Sequence, residues 1–269
     1  MKRILTFILT LTLALSFCVN SFAAATTATA SKTQTGTSEA QTDTSKTQAD
    51  TSEAKTDTSK VQAGASYGIS NLNGAPDIVA ESAVVMDANT GTILYGKEAD
   101  TKRYPASITK VMTALLAVEN CKMSDVITYS NAAVNGIEAG SSTAGINVGA
   151  KLTVEDSLYA LMLVSANEAA AAIAEHISGS TTEFAKLMTK RAKELGCTNT
   201  QFKNPHGLPN EEHYTTAHDM GLILKEAMKH EEFRKISGTI SYTLKKSDTL
   251  KDTLELLCNV LHLEVHEGF

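Results

Sequence analysis

Apolar positions fall along this chain in distinct regimes. From Ile4 to Val19 they are almost unbroken, behind Lys2 and Arg3 and ahead of Ser21-Phe22-Ala23-Ala24-Ala25. That is the arrangement of an export signal with small residues at the cut, and the apolar core is near the short end for a spanning helix. From Thr26 to about Ala75 large apolar side chains almost vanish, so this stretch cannot bury a core. Within it Thr37–Asp50 recurs as Thr51–Gly64, but without apolar positions to stack the repeat is no solenoid. It reads as a tether of roughly fifty residues with a reach of about 40 Å.

Beyond Pro76 the pattern becomes that of a folded domain. Ser82–Asp87 and Thr92–Gly96 are short β-rich runs about Ala88-Asn-Thr-Gly91, which predicts a hairpin. Ile108, Val111, Met112, Leu115 and Leu116 then repeat at three and four, as one buried helix face requires. Thr153-Val-Glu-Asp156 predicts a helix cap ahead of Leu158, Leu161 and Met162, and Glu168–Ile177 is a second, alanine-rich helical piece. Thr182–Leu195 follows, closed by Gly196, and Thr216-Ala-His-Asp219 caps Met220–Met228. Thr239–Leu244 alternates like a strand. Strands at both ends with helices between predict an α/β domain, an antiparallel sheet flanked by helices with an inserted helical lobe. The organisation expected is a signal peptide over 1–25, a Thr/Ser/Ala-rich linker over 26–76 and one domain over 77–269.

Charge narrows the partners. Loss of the signal removes two cations and no anions, taking the net charge from −6 to −8. Nucleic acid is therefore a poor partner, since its binding rests on clustered Lys and Arg. Phe17 stands where a lipidated Cys18 needs a small residue, so a lipoprotein is not expected. Cys121, Cys197 and Cys258 are then left, odd in number and widely spaced, implying neither a disulfide framework nor a metal quartet. No cofactor is expected. Membrane association is expected only through an uncleaved signal.

The candidate chemistry begins at Pro105-Ala-Ser107-Ile-Thr-Lys110, where the first long helix starts. Negative charge developing on a carbonyl bound beside Ser107 is stabilised at the positive helix end. Lys110 lies one turn on along the same face, and a neutral lysine there can take the Ser107 proton. A capping serine with a surface lysine fits the same letters. Farther on, Ser165-Ala-Asn167-Glu168 breaks an apolar helical region with a hydroxyl and an amide, which in a buried turn need partners. Ser165 suits a proton relay and Asn167 a substrate contact; a simple helix break, with Asn167 satisfying local backbone, is the other reading.

Ser107-x-x-Lys110 and Ser165-x-Asn167 together resemble the penicillin-binding serine peptidases and serine β-lactamases. With Ala83–Gly91, Tyr104–Thr113, Ser165–Ala170 and Asn204-Pro-His-Gly-Leu208 through Thr216, the chain from Ile78 to Leu244 is similar to the low-molecular-mass D-alanyl-D-alanine carboxypeptidases. That resemblance implies an exported enzyme at the outer face of the cytoplasmic membrane and the cell wall. It would remove the terminal D-alanine from peptidoglycan stem pentapeptides through a Ser107 acyl-enzyme. Lys110 would be proton acceptor, Ser165 relay and Asn167 a substrate contact, with β-lactams as covalent inhibitors and no metal.

The family's third motif, Lys-Thr-Gly, occurs nowhere in the 269 residues. The apolar stretch Leu254–Phe269 departs from the family pattern and fits either a change of reading frame near Thr253 or a C-terminal helix. The expectation is a domain incomplete at that end, lacking sheet strands and weak in turnover. Rival readings are a non-catalytic or relic wall-binding protein, a serine β-lactamase, against which Ser-Ala-Asn stands where Ser-Asp-Asn is wanted, and a metallopeptidase using His206, His213 and His218. The histidine spacings put no two on one helical face, which favours loop and cap roles.

Overall fold

The computed structural model describes residues 78–258; the signal at 1–25, the linker at 26–76 and residues 259–269 lie outside the described residues. β1 (Ala83–Met86) and β2 (Ile93–Lys97) form the expected antiparallel hairpin, Val85 opposite Tyr95, with the register slipping between Val85 and Met86. Asp87 closes it, its Oδ1 accepting from the N–H groups of Asn89 (3.1 Å) and Thr90 (2.6 Å). A 3₁₀ turn, Ala106–Thr109, then leads into α1 (Lys110–Asn120). Every residue from Thr109 to Ala117 is buried, polar ones included, so α1 is a central helix covered all round rather than on one face. Ile108, expected on its buried face, belongs instead to the 3₁₀ turn, whose different pitch leaves it 49% exposed.

β3 (Val126–Thr128) pairs antiparallel with β4 (Lys151–Thr153), and α2 (Asn131–Asn135) lies between them in sequence. The predicted cap on α3 (Val154–Leu163) is a full capping box: Thr153 Oγ1 accepts from the Asp156 N–H at 3.0 Å, and Asp156 Oδ2 accepts from the Thr153 N–H at 3.4 Å. α4 (Asn167–Ser178), α5 (Thr181–Glu194), α6 (Ala217–Ala227) and α7 (Glu231–Ser237) follow. α1 packs against α3, α4 and α6, while β1 rests on α6. A bidentate ion pair from Arg191 to Glu119, 2.6 Å at its shortest, joins α5 to α1.

β5 (Ser241–Leu244) pairs antiparallel with β6 (Leu254–Leu257). A helix starting at Leu254 is therefore corrected to a strand over 254–257: alternate side chains serve the two faces, and Leu256 is buried whereas Leu257 is exposed. Tyr242 of β5 stacks on Tyr159 of α3 at 3.8 Å and donates its hydroxyl to Asp156 at 2.8 Å. The architecture is the expected mixture of antiparallel strands and helices, with the strands of the described residues gathered as three two-stranded sheets.

Candidate active site

The candidate nucleophile sits on a strained turn. Ala106 has φ 48°, a left-handed conformation uncommon for a side chain with Cβ. The turn after it is 3₁₀, not the first turn of α1 as the sequence predicts, and α1 itself begins at Lys110. In a 3₁₀ turn residues three apart eclipse one another, so Lys110 lies directly over Ser107. Lys110 Nζ is 3.3 Å from Ser107 Oγ and donates to the His206 carbonyl at 2.8 Å. Lys110 is only 2% exposed. Burial pulls its pKa down to about 8, against a smaller upward pull from Glu168.

The loop Asn204–Leu208 braces this turn. Asn204 folds it, its Oδ1 accepting from the Gly207 N–H (2.7 Å) and its Nδ2 donating to the Leu208 carbonyl (2.9 Å). Gly207 has φ 87°, and a Cβ there would stand 1.8 Å from the Ala106 carbonyl oxygen. Only glycine lets the two strained turns touch. Thr113 Oγ1 donates to the Pro205 carbonyl at 2.6 Å, fixing the loop to the next turn of α1.

The three histidines hold separate partners. His213 Nδ1 accepts from the Lys203 N–H at 3.3 Å, so its Nε2 carries the proton and donates to Thr109 Oγ1 at 3.0 Å. His206 Nδ1 accepts from the Leu208 N–H at 3.2 Å, and His218 Nδ1 lies 3.0 Å from Asp100. Burial lowers both His206 and His213 to about 4, so both are neutral at pH 7. Among the described residues Glu119, Glu226 and His230 are the group close enough to share a metal, and Arg191 already contacts both of those carboxylates.

The third stretch arrives from between α3 and α4. Ser165, at φ 58°, turns the chain so that its Oγ donates to Ser107 Oγ at 3.1 Å. Asn167, 3% exposed, opens α4, its N–H donating to the Ser142 carbonyl at 3.0 Å. Ser107, Ser141, Ser142, Asn167, His206 and Leu208 line one cavity of about 660 Å³. A neighbouring cavity of about 680 Å³ shares Tyr104 with it but contains none of these hydroxyls. All four predicted site residues, Ser107, Lys110, Ser165 and Asn167, therefore come together. Ser107 Oγ accepts hydrogen bonds from two groups and lines the cavity, a geometry suited to acyl transfer.

Sequence reasoning passed over three supports. Glu168 is buried and grips the segment 143–146; His213 orients Thr109; and Gly140–Ser142 form the far wall. An acidic residue ahead of the run Ala169–Ala174, in the first turn of α4, was the signal available for the first.

A family model described as D-alanyl-D-alanine carboxypeptidase matches residues 70–262. Its span takes in the strand β6, which the sequence had placed outside the family pattern. The chain is 42% identical over 177 residues to D-alanyl-D-alanine carboxypeptidase DacF of Bacillus subtilis, covering 64% of this chain and 45% of that one. It spans less than half the length of the first curated relatives it matches. Among solved structures, a Streptomyces DD-transpeptidase is 34% identical with a TM-score of 0.62, covering 68% of this chain and 75% of that one. The D-alanyl-D-alanine carboxypeptidase DacD of Francisella tularensis is 34% identical with a TM-score of 0.60, covering 66% and 43%.

Proposed function

Since this chain belongs to the D-alanyl-D-alanine carboxypeptidase family, we propose that it carries out serine acyl transfer on the D-Ala-D-Ala end of peptidoglycan stem peptides, with Ser107 as nucleophile. The observation that carries the reading is the convergence on Ser107 Oγ of Lys110 Nζ at 3.3 Å and Ser165 Oγ at 3.1 Å. Neutral Lys110 takes the Ser107 proton as Oγ bonds to the penultimate D-alanine carbonyl carbon. The Ser107 N–H, on the 3₁₀ turn that leads into α1, donates to the developing oxyanion. The C–N bond then breaks, and the proton passes through Ser165 to the departing amine of D-alanine. Water attacks the ester in the second half, its proton returning through Lys110 to Ser107 Oγ. Asn167, on the cavity wall, holds a substrate carbonyl. Export supports this reading: Lys2, Arg3, the Ile4–Val19 run and the small residues at 23–25 would deliver the domain to the outer face of the cytoplasmic membrane and the wall.

A penicillin mimics the scissile bond with a strained amide, so acylation can be read without product release. A fluorescent penicillin is expected to label one peptide containing Ser107, with no label in Ser107→Ala. Release of D-alanine from a pentapeptide mimic then reports turnover. Label retained in Ser107→Ala removes this nucleophile. Binding of the pentapeptide without any covalent label would favour the wall-binding alternative, and rapid hydrolysis of the penicillin the β-lactamase one.

A further inference from the structure

Glu168 is a buried acid, 3% exposed, immediately after Asn167 in the first turn of α4. One of its oxygens is crowded. Oε1 accepts from Thr143 Oγ1 at 2.6 Å and from the N–H groups of Ala144 (2.7 Å), Gly145 (3.1 Å) and Ile146 (3.4 Å). The backbone curls around it because Gly145, at φ 80°, can turn its N–H inward. The other oxygen, Oε2, is the one buried side-chain N or O atom among the described residues with no hydrogen-bond partner. A glutamine would offer an Oε1 acceptor at far lower desolvation cost but an uncharged one, whose hydrogen bonds are only about half as strong, so filling the space alone does not call for a carboxylate here.

The segment held by Oε1 continues directly into the cavity wall. Ser142, next to Thr143, accepts the Asn167 N–H through its carbonyl, and Gly140, Ser141 and Ser142 face Ser107 across the cavity. Two consecutive residues at the start of α4 thus hold one loop at two consecutive points. We propose that Glu168 is a positioning residue: by closing its buried carboxylate on Thr143 and the N–H groups of 144–146, it fixes the Gly140–Ser142 wall opposite Ser107 and against Asn167.

Its charge has a second consequence. The groups acting electrostatically around Lys110 are Glu168 from α4 and His206 from the bracing loop, and His206 is held neutral by burial. Glu168 pulls the Lys110 pKa upward, against desolvation. Removing the charge while keeping the shape must therefore move Lys110 toward its neutral form at lower pH. A residue that merely fills space would leave that titration where it is.

The inference rests on the acyl-transfer reading only for its second measurement. The first is amide hydrogen exchange of the full chain and of Glu168→Gln, with Thr143→Ala as a second variant that leaves α4 untouched. Exchange at 144–146 is expected to rise at least tenfold in both, while α5 amides keep their protection. The second is the rate of acylation by fluorescent penicillin from pH 6 to 10. Glu168→Gln is expected to lower the plateau at least tenfold and to shift the midpoint of the acid limb to lower pH. Unchanged exchange at 144–146 in both variants, or a lowered plateau with an unmoved midpoint, overturns the proposal. If the parent chain takes no label, the acyl-transfer reading fails, and the exchange measurement alone decides the role of Glu168.

Discussion

Replacing Lys110 by arginine tests the centre of the mechanism, because it keeps a long cationic side chain and removes only the ability to lose a proton near neutrality. With the Lys110 pKa at about 8, roughly one molecule in ten holds the free amine at pH 7. At the ordinary lysine value of 10.5 the fraction would be on the order of one in three thousand. Burial therefore raises the supply of base about 300-fold, within the 10² to 10⁴ that general-base assistance usually contributes. Acylation by a penicillin should climb nearly tenfold per pH unit from 6 to 7.5 and level off above 9. Lys110→Arg should fall by at least about 10² in rate, and what remains should not rise through pH 8. Second-order labelling rates across that range, with thermal melts to verify folding, make the measurement. A variant acylating within threefold of the parent, or a flat parental profile between pH 6 and 9, would falsify the assignment of Lys110 as base.

The same burial has a cost in stability. The unfolded chain binds more protons at Lys110 than the folded chain between about pH 8 and 10.5, so stability rises with pH across that window. Below it the buried ammonium costs on the order of 3 kcal/mol, at about 1.36 kcal/mol per pH unit. Lys110→Met should abolish this rise, which denaturant titrations at pH 7.5 and 10.5 would register.

Three further outcomes follow from the geometry. Ser165→Ala removes the hydroxyl 3.1 Å from Ser107 Oγ and should slow acylation by about 10² or more while leaving the thermal midpoint within a few degrees; an undiminished rate would route the proton elsewhere. Gly207→Ala puts a methyl 1.8 Å from the Ala106 carbonyl at φ 87°, so it should destabilise by roughly 1–3 kcal/mol or more and depress labelling of Ser107, and a neutral effect on both would mean that the two turns move apart freely. His206 and His213, held near 4 when folded against about 6.5 unfolded, bind fewer protons in the folded state across that interval. Stability should therefore fall as pH drops from 6.5 toward 4, and His213→Gln should make the loss shallower in melts at pH 4.5 and 7.

The nucleophile and its base were legible because their spacing alone puts them on one face, whichever of the two helical pitches the turn adopts. Thr153–Asp156 was legible for the same local reason, a cap whose partners lie three residues apart. The pitch itself was not. The turn packs closely against the loop around Gly207, about a hundred residues away in sequence, a contact that no local pattern reveals. Ile108 was assigned to the buried face on that account and is half exposed. β3 and β4, at three residues each, are too short to display alternation, and α2 is a single turn and a half. Leu254–Leu257 reads equally as strand or helix in isolation; its partner β5 decides it. Glu168 was visible only as an acid at a helix start, a placement that the helix dipole explains without reference to any loop.

The site combines three features that individually oppose folding. A lysine is buried, a carboxylate oxygen lacks a partner, and left-handed backbone occurs at Ala106, next to Ser107 in sequence, and at Ser165, whose hydroxyl bonds to that of Ser107. Backbone strain of this kind costs about 1–3 kcal/mol per residue and persists only where the surroundings over-determine it. Here the surroundings are α1, buried on every side, with α4 and the 204–208 loop packed onto it. Ser107 and Lys110 open that helix or the turn before it, Asn167 and Glu168 open α4, and the loop is fastened to Thr113. The reacting groups thus stand at the ends of elements packed into the core, where each local violation is tied to buried residues through one or two positions. Of the three non-glycine residues with left-handed backbone among the described residues, Glu98 follows β2, whereas Ala106 and Ser165 adjoin Ser107 in sequence or by hydrogen bond. At those two positions fixed geometry brings a gain, in the supply of neutral amine and in the alignment of two hydroxyls, that can offset the stability given up.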